Sequence, residues 1–214
     1  MLASMLTGFL GLNDVLLMAI PRGGVPVAVE ISKHMSLPLH VLVVEKIQAP
    51  WHEAWQQRQS IGAAGPGGVL ILDTSEISKL ALPEEEVNLA AKCSKNDQAH
   101  KEELYAVGST FVPLQDQTIL LVDDAIQTGT TMQAAIQYLR KMKASQIVVV
   151  APVSSRTAYR QLCGLADQIL CPKLAPEGIA VHASYARFPP VTDAAAYALV
   201  EANRRRFRSG QPAA

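Results

Sequence analysis

Short apolar runs and polar breaks alternate along this chain in the rhythm of strand, turn and helix. Val15 to Ile20 is an apolar run closed by Pro21-Arg22-Gly23-Gly24, and beyond that turn Ala28, Ile31 and Met35 recur at helical spacing. Pro26 falls in the first turn of the predicted helix, where a missing N–H costs little. Leu39 to Val44 predicts a second strand, ending at Glu45-Lys46. The polar stretch from Gln48 to Ser60, with Trp51, His52, Trp55 and Arg58, is long for a connection, a property of functional or mobile loops. Ile61 to Asp73 reads as two short strands around Gly65-Pro66-Gly67-Gly68. The Glu-, Lys- and Ala-rich segment from Pro83 to about Val107 reads as one long surface helix.

From Thr118 the pattern sharpens: an apolar strand, the pair Asp123-Asp124, a Thr/Gly turn, and a helix whose Met132, Ala135, Ile136, Leu139 and Met142 form one apolar face. Ile147 to Val153, a short helix near Thr157 to Cys163, and Ile169 to Cys171 continue the alternation. This order predicts an α/β fold with a mainly parallel central sheet, helices on both faces and right-handed crossovers. Pro172, Pro176, Pro189 and Pro190 predict a small irregular cap over about 172–192, before a last helix. With no repeat or linker in view, residues 1–214 are expected to form one domain. Ligands of such sheets bind outside the carboxyl ends of the strands, where the PRGG turn, Lys46 and the segment after Val122 are all expected.

Composition narrows the partners. Nineteen basic and nineteen acidic residues leave a formal net charge of zero, so no field favours nucleic acid or a membrane surface. Arg204, Arg205, Arg206 and Arg208 read as a solvated helix end or tail, with a polyanion contact as the lesser alternative. The three cysteines, Cys93, Cys163 and Cys171, have neither zinc nor redox spacing and suggest a reducing compartment. The apolar first twenty residues lack a basic leader and are interrupted by Asn13 and Asp14, and no run is long enough to span a bilayer. A cytoplasmic protein is the expectation. The five histidines are scattered without ligand spacing, which argues against a protein-held transition metal.

Candidate chemistry gathers after Val122. Asp123 and Asp124 at a strand end can face sugar hydroxyls, while Thr128, Gly129, Thr130 and Thr131 bring backbone N–H groups and hydroxyls to a helix start, where an anion is favoured. In the PRGG turn, Gly23 and Gly24 allow close backbone approach and Arg22 supplies a planar donor fork for phosphate oxygens. Together these describe a sugar-phosphate site.

The run Asp123-Asp124, Ala125-Ile126-Gln127, Thr128-Gly129-Thr130-Thr131 resembles the phosphoribosyl-diphosphate (PRPP) motif of type I phosphoribosyltransferases. The segments LLMAIPRGGVPVAVEI, LHVLVVEKIQAP, TILLVDDAIQTGTTM and SYARFPPVTD extend the likeness to a bacterial group of such proteins whose acceptor is unassigned. The resemblance implies transfer of a 5-phosphoribosyl group from PRPP to a nitrogen acceptor, a nucleobase or similar heterocycle, with release of diphosphate. It implies that Asp123 and Asp124 orient ribose and support Mg²⁺, partly through water. Ala125 to Thr131 would hold the 5′-phosphate, and Arg22, Gly23 and Gly24 the diphosphate. Lys46 would act from the second strand end, and Gln127, Tyr185 and Phe188 would meet the acceptor. It further implies a possible homodimer. Where members of the group carry Arg-Lys, this chain has Glu45-Lys46; a Trp-bearing stretch replaces their Asn-Pro-Glu loop, and Ser184 to Arg187 replaces an aromatic and acidic segment. A PRPP- or nucleotide-binding regulator with little turnover is therefore the alternative. ILLVDD also resembles the first strand and acid pair of phosphoacceptor receiver domains, for which Asp167 would have to end a later strand.

Overall fold

The computed structural model describes residues 2–51, 59–109, 112–176 and 180–209. In chain order the strands are β1 Val15–Ala19, β2 Leu39–Val41, β3 Glu45–Gln48, β4 Ser60–Ala64, β5 Leu70–Leu72, β6 Thr118–Val122, β7 Gln146–Val150, β8 Val153–Ser155, β9 Gln168–Leu170 and β10 Lys173–Ala175. The helices are α1 Leu2–Met5, α2 Gly24–Met35, α3 Thr74–Lys79, α4 Glu84–Ala106, α5 Thr130–Lys141, α6 Arg156–Leu162 and α7 Asp193–Arg208. Trp55, Arg58 and His52 of the long polar stretch lie outside the described residues.

Five strands form a parallel sheet in the order β2-β1-β6-β7-β9. The predicted α/β architecture is therefore what the chain builds, and the period-2 pattern shows why. Leu17, Ala19, Leu120, Val122, Val148 and Val150 face α2 and α7, whereas Met18, Ile119, Leu121, Ile147 and Val149 face α5 and α6. A sheet covered on both faces needs strands without polar interruption, and β6 is buried along its whole length. The chain runs from β1 outward to β2 and later returns to the other side of β1 as β6. The strand order thus reverses between β1 and β6, and in such sheets a crevice opens at that point.

Several boundaries differ from expectation. The run Leu39 to Val44 pairs in the parallel sheet only as far as Val41. Leu42 donates its N–H to the Ala19 carbonyl, Val43 offers its carbonyl to the Gln98 side chain, and the chain then crosses into a second sheet. That sheet is antiparallel, β3-β4-β5, with α4 packed against β3 through the cluster of Ile47, Ala49, Ile61, Val87 and Ala91. The two short strands around the Gly-Pro-Gly-Gly turn form as predicted, while their union with β3 was not legible locally. The run Ile147 to Val153 likewise breaks after Val150, and Val153–Ser155 pairs with β10 of the cap. Met132, Ala135, Ile136 and Leu139 are buried as the helical face requires, but Met142 lies beyond the end of α5 and is 40% exposed.

Candidate functional site

The PRGG turn ends β1 and the acid pair ends β6, so the two motifs, a hundred residues apart, stand side by side at the reversal point. Their contact is tight. A Cβ on Gly24 would lie 2.6 Å from the Val122 carbonyl oxygen and 3.0 Å from the Asp123 Cα, and a Cβ on Gly23 would collide with the Asp124 carboxylate. Gly24 is required because the β6 end approaches the start of α2 at backbone distance, whereas at Gly23 the neighbour is the Asp124 side chain. The Gly24 N–H closes the turn on the Ile20 carbonyl at 3.1 Å, and the Pro21-Arg22 peptide bond is cis.

Asp123 accepts the Asp124 N–H through Oδ1 at 2.8 Å, which fixes the Asp123 carboxyl against the backbone of its neighbour. Burial, and next the charge of Asp124, pushes the Asp123 carboxyl well above the ordinary carboxylate range, while the Lys46 charge acts in the opposite direction. Lys46 is thus within electrostatic reach of the pair. Its position is nevertheless not the predicted one: it lies inside β3, opposite Ala63, and not at the end of a strand of the parallel sheet. Glu45, which would repel an anionic ligand, is paired with Lys101 of α4 at 2.6 Å and not with Lys46.

The segment after the acid pair is held from below. The Ile126 N–H donates to the Val153 carbonyl at 3.0 Å, its carbonyl accepts the Ser155 N–H at 2.8 Å, and the Ser155 hydroxyl donates to the Gln127 carbonyl at 2.6 Å. Ile126 is buried, so its amide is spent on structure and the donors of this run are those further along. Gly129 takes the left-handed conformation at φ +83° and starts α5 without a side-chain cap, leaving first-turn N–H groups at Thr130 and Thr131 without intrahelical partners. The Thr128 and Thr130 hydroxyls are 3.1 Å apart at the mouth of this turn. Ala125 packs partly against the small apolar cluster of the cap.

That cap reaches the site through two hydrogen bonds. The Gln127 side-chain oxygen accepts the Val181 N–H at 2.9 Å, which ties the cap to the segment after the acid pair, while the Gln127 side chain stays exposed. The Tyr185 hydroxyl donates to the Asp124 carbonyl at 2.5 Å, and burial, with the charges of Asp124 and Asp123, pushes that phenol up to about 12. Its ring lies against Phe188, with centroids 4.9 Å apart, and Phe188 remains 42% exposed. Ser155 and Tyr185 as tethers of the PRPP-like segment were not apparent from spacing, since each acts through a backbone carbonyl. Asp167 accepts the Ile147 N–H and the Arg140 guanidinium, a structural role at the start of a strand that removes the receiver-domain reading.

The reversal of a parallel sheet thus brings together two adjacent carboxyls, a glycine turn and a hydroxyl-bearing helix start on an α/β scaffold. Residues 2–164 match the phosphoribosyl transferase domain, and the chain belongs to that family. A Mycobacterium tuberculosis protein provisionally named a phosphoribosyl transferase is 30% identical over 193 residues, covering 90% of this chain but 43% of its own length. The chain therefore spans less than half the length of that curated relative. The bifunctional protein PyrR of Haemophilus influenzae is 32% identical over 98 residues, covering 44% of this chain and 54% of that protein. A crystal structure from Thermus thermophilus superposes with a TM-score of 0.70 at 28% identity, over 93% of this chain and 92% of that one. Among the described residues no helix is long and apolar enough to cross a membrane.

Proposed function

We propose that the chain transfers the 5-phosphoribosyl group of PRPP to a nitrogen acceptor, with release of diphosphate. The observation that carries this reading is the contact between the PRGG turn and the acid pair, where the Asp124 carboxylate lies in the place a side chain on Gly23 would take. A leaving-group site and a ribose site at that separation suit one extended ligand with a phosphate at each end. The first-turn amides of α5, with Thr128, Thr130 and Thr131, take the 5′-phosphate. Asp123 and Asp124 hold the ribose hydroxyls, and Arg22 receives the diphosphate oxygens as the bond from C1 breaks. The acceptor nitrogen forms the new bond to C1 with its lone pair and gives up its proton to the departing diphosphate or to water. Charge develops on the departing diphosphate, so preorganised donors there lower the barrier.

The donor set also fits Mg²⁺. No cluster of three or more metal-ligating side chains exists among the described residues, but two adjacent carboxyls whose mutual repulsion a cation would relieve are suited to a hydrated ion that takes its remaining oxygens from substrate. Bound there, with Asp123 and Asp124 holding it partly through water, Mg²⁺ would supply charge neutralisation for the diphosphate. Lys46, by its field at Asp123, favours the ionised pair.

Calorimetric titration with PRPP, with and without Mg²⁺, is the direct test. Mg²⁺-dependent binding followed by diphosphate release with a heterocyclic acceptor is expected, and Asp123→Asn combined with Asp124→Asn should remove the affinity from a folded protein. Unchanged affinity in that variant would refute the site. The Gln127 and Tyr185 tethers, which hold the cap against the acid-pair segment, favour a second reading, a PRPP- or nucleotide-binding regulator with little or no turnover. Binding without diphosphate release across purine, pyrimidine and other heterocycles would select it.

A further inference from the structure

Asp193 has no part in the proposed transfer, yet it holds the cation assigned to the leaving group. It opens α7, where the Thr192 hydroxyl caps the helix by accepting the Ala195 N–H. Asp193 Oδ2 lies 3.5 Å from Arg22 Nη1, and the two side chains are 45% and 52% exposed. A pair that long and that wet is weakly held and readily exchanged. Its other oxygen is in a different environment. Oδ1 is covered and has no hydrogen-bond partner among the described residues, and the same is true of the hydroxyl of Tyr105 on α4, a residue 3% exposed. Burial first, then the charge of Asp193, pushes the Tyr105 phenol up, and Arg22 opposes the shift. Arg22, Asp193 and Tyr105 therefore share one field at the junction of the PRGG turn, α4 and α7.

A carboxylate offers a guanidinium the same planar pair of oxygens that a phosphate offers. We propose that Asp193 is a positioning residue for Arg22: it parks the guanidinium at the start of α7, and diphosphate oxygens take the cation by displacing the carboxylate. The inference rests on Arg22 as the diphosphate donor. It explains why an arginine poised for a polyanion is paired with an acid through a single long and exposed contact. It also connects the C-terminal helix to the leaving-group end of the site.

The test is calorimetric titration of inorganic diphosphate with Mg²⁺, with ribose 5-phosphate as the control ligand. Asp193→Asn keeps the helix start and removes the charge, and it should bind diphosphate about three- to five-fold tighter, the order of a surface ion pair. Ribose 5-phosphate affinity should not change. In an Arg22→Ala background the Asp193 substitution should have no effect on diphosphate. Unchanged or weaker diphosphate binding by Asp193→Asn overturns the proposal, as does an equal gain without Arg22, which would mark a general loss of negative charge. Asp193→Ser, another good helix start, replaces the Asn variant if thermal unfolding shows that variant to be unfolded. An unmodified protein that binds PRPP but fails these comparisons sinks only the role of Asp193. One that binds neither PRPP nor diphosphate sinks the site, and this role with it.

Discussion

Gly24 leaves no room for a methyl group. Its Cβ would press on the backbone of Val122 and Asp123, which cannot yield without moving β6, so Gly24→Ala is expected to cost about 1–3 kcal/mol of stability in urea unfolding. Gly23→Ala meets a side chain instead, the Asp124 carboxylate, and should lower Mg²⁺-dependent PRPP affinity more than it lowers stability. An unfolding midpoint for Gly24→Ala equal to the parent would show that the turn is looser than this contact requires. Asp123 carries a pH signature. Because burial and Asp124 raise its folded value, the folded protein binds this proton more tightly than the unfolded chain does. Its contribution to stability is therefore full below the unfolded carboxylate range and is lost as pH rises through the folded value. Asp123→Asn imitates the protonated form and should raise Tm at neutral pH, with the gain vanishing near about pH 3. A gain independent of pH would argue against the raised carboxyl.

The cap and the last helix are fastened by side chains that reach backbone carbonyls of other elements. Tyr185→Phe deletes the donor to Asp124 and leaves a partly covered carbonyl, which should cost about 1 kcal/mol and speed hydrogen exchange at Val181, the neighbouring tether. Unaltered exchange there would mean that Gln127 alone holds the cap. Arg204 supplies two bonds to the end of α4, to the Tyr105 carbonyl in its last turn at 2.6 Å and to the Val107 carbonyl just beyond it at 2.7 Å, and also pairs with Glu201. A guanidinium at the negative end of a helix is favoured by the macrodipole as well. Arg204→Ala should therefore destabilise by roughly 2 kcal/mol, measured by denaturant midpoint. The basic cluster read as a solvated helix end thus divides: Arg204 and Arg208 bind carbonyls at and just beyond the end of α4.

For the molecule as a whole, a ligand that binds only the folded state raises its stability by mass action, about 2.7 kcal/mol at a hundred times Kd. PRPP with Mg²⁺ should accordingly raise Tm, and the double substitution of Asp123 and Asp124 should abolish the shift. The parallel sheet, its two covered faces and the acid-pair and Thr/Gly turn could be read from the chain, because strand burial and helix-start chemistry depend on neighbours within a few residues. The boundaries that moved, at Val41 and Val150, did so where apolar runs continue past the end of pairing and local pattern has no means to mark the change of sheet. Partner choice was likewise hidden. Glu45 meets Lys101 fifty-six positions away, Gln127 meets Val181 fifty-four away, and Arg22 meets Asp193 from the far end of the chain. The kinds of groups at the site were written in order along the sequence. Which of them are free to hold a ligand, and which are already occupied, follows from the packing of elements distant in sequence, since a charged or polar side chain takes whatever partner the fold brings within reach.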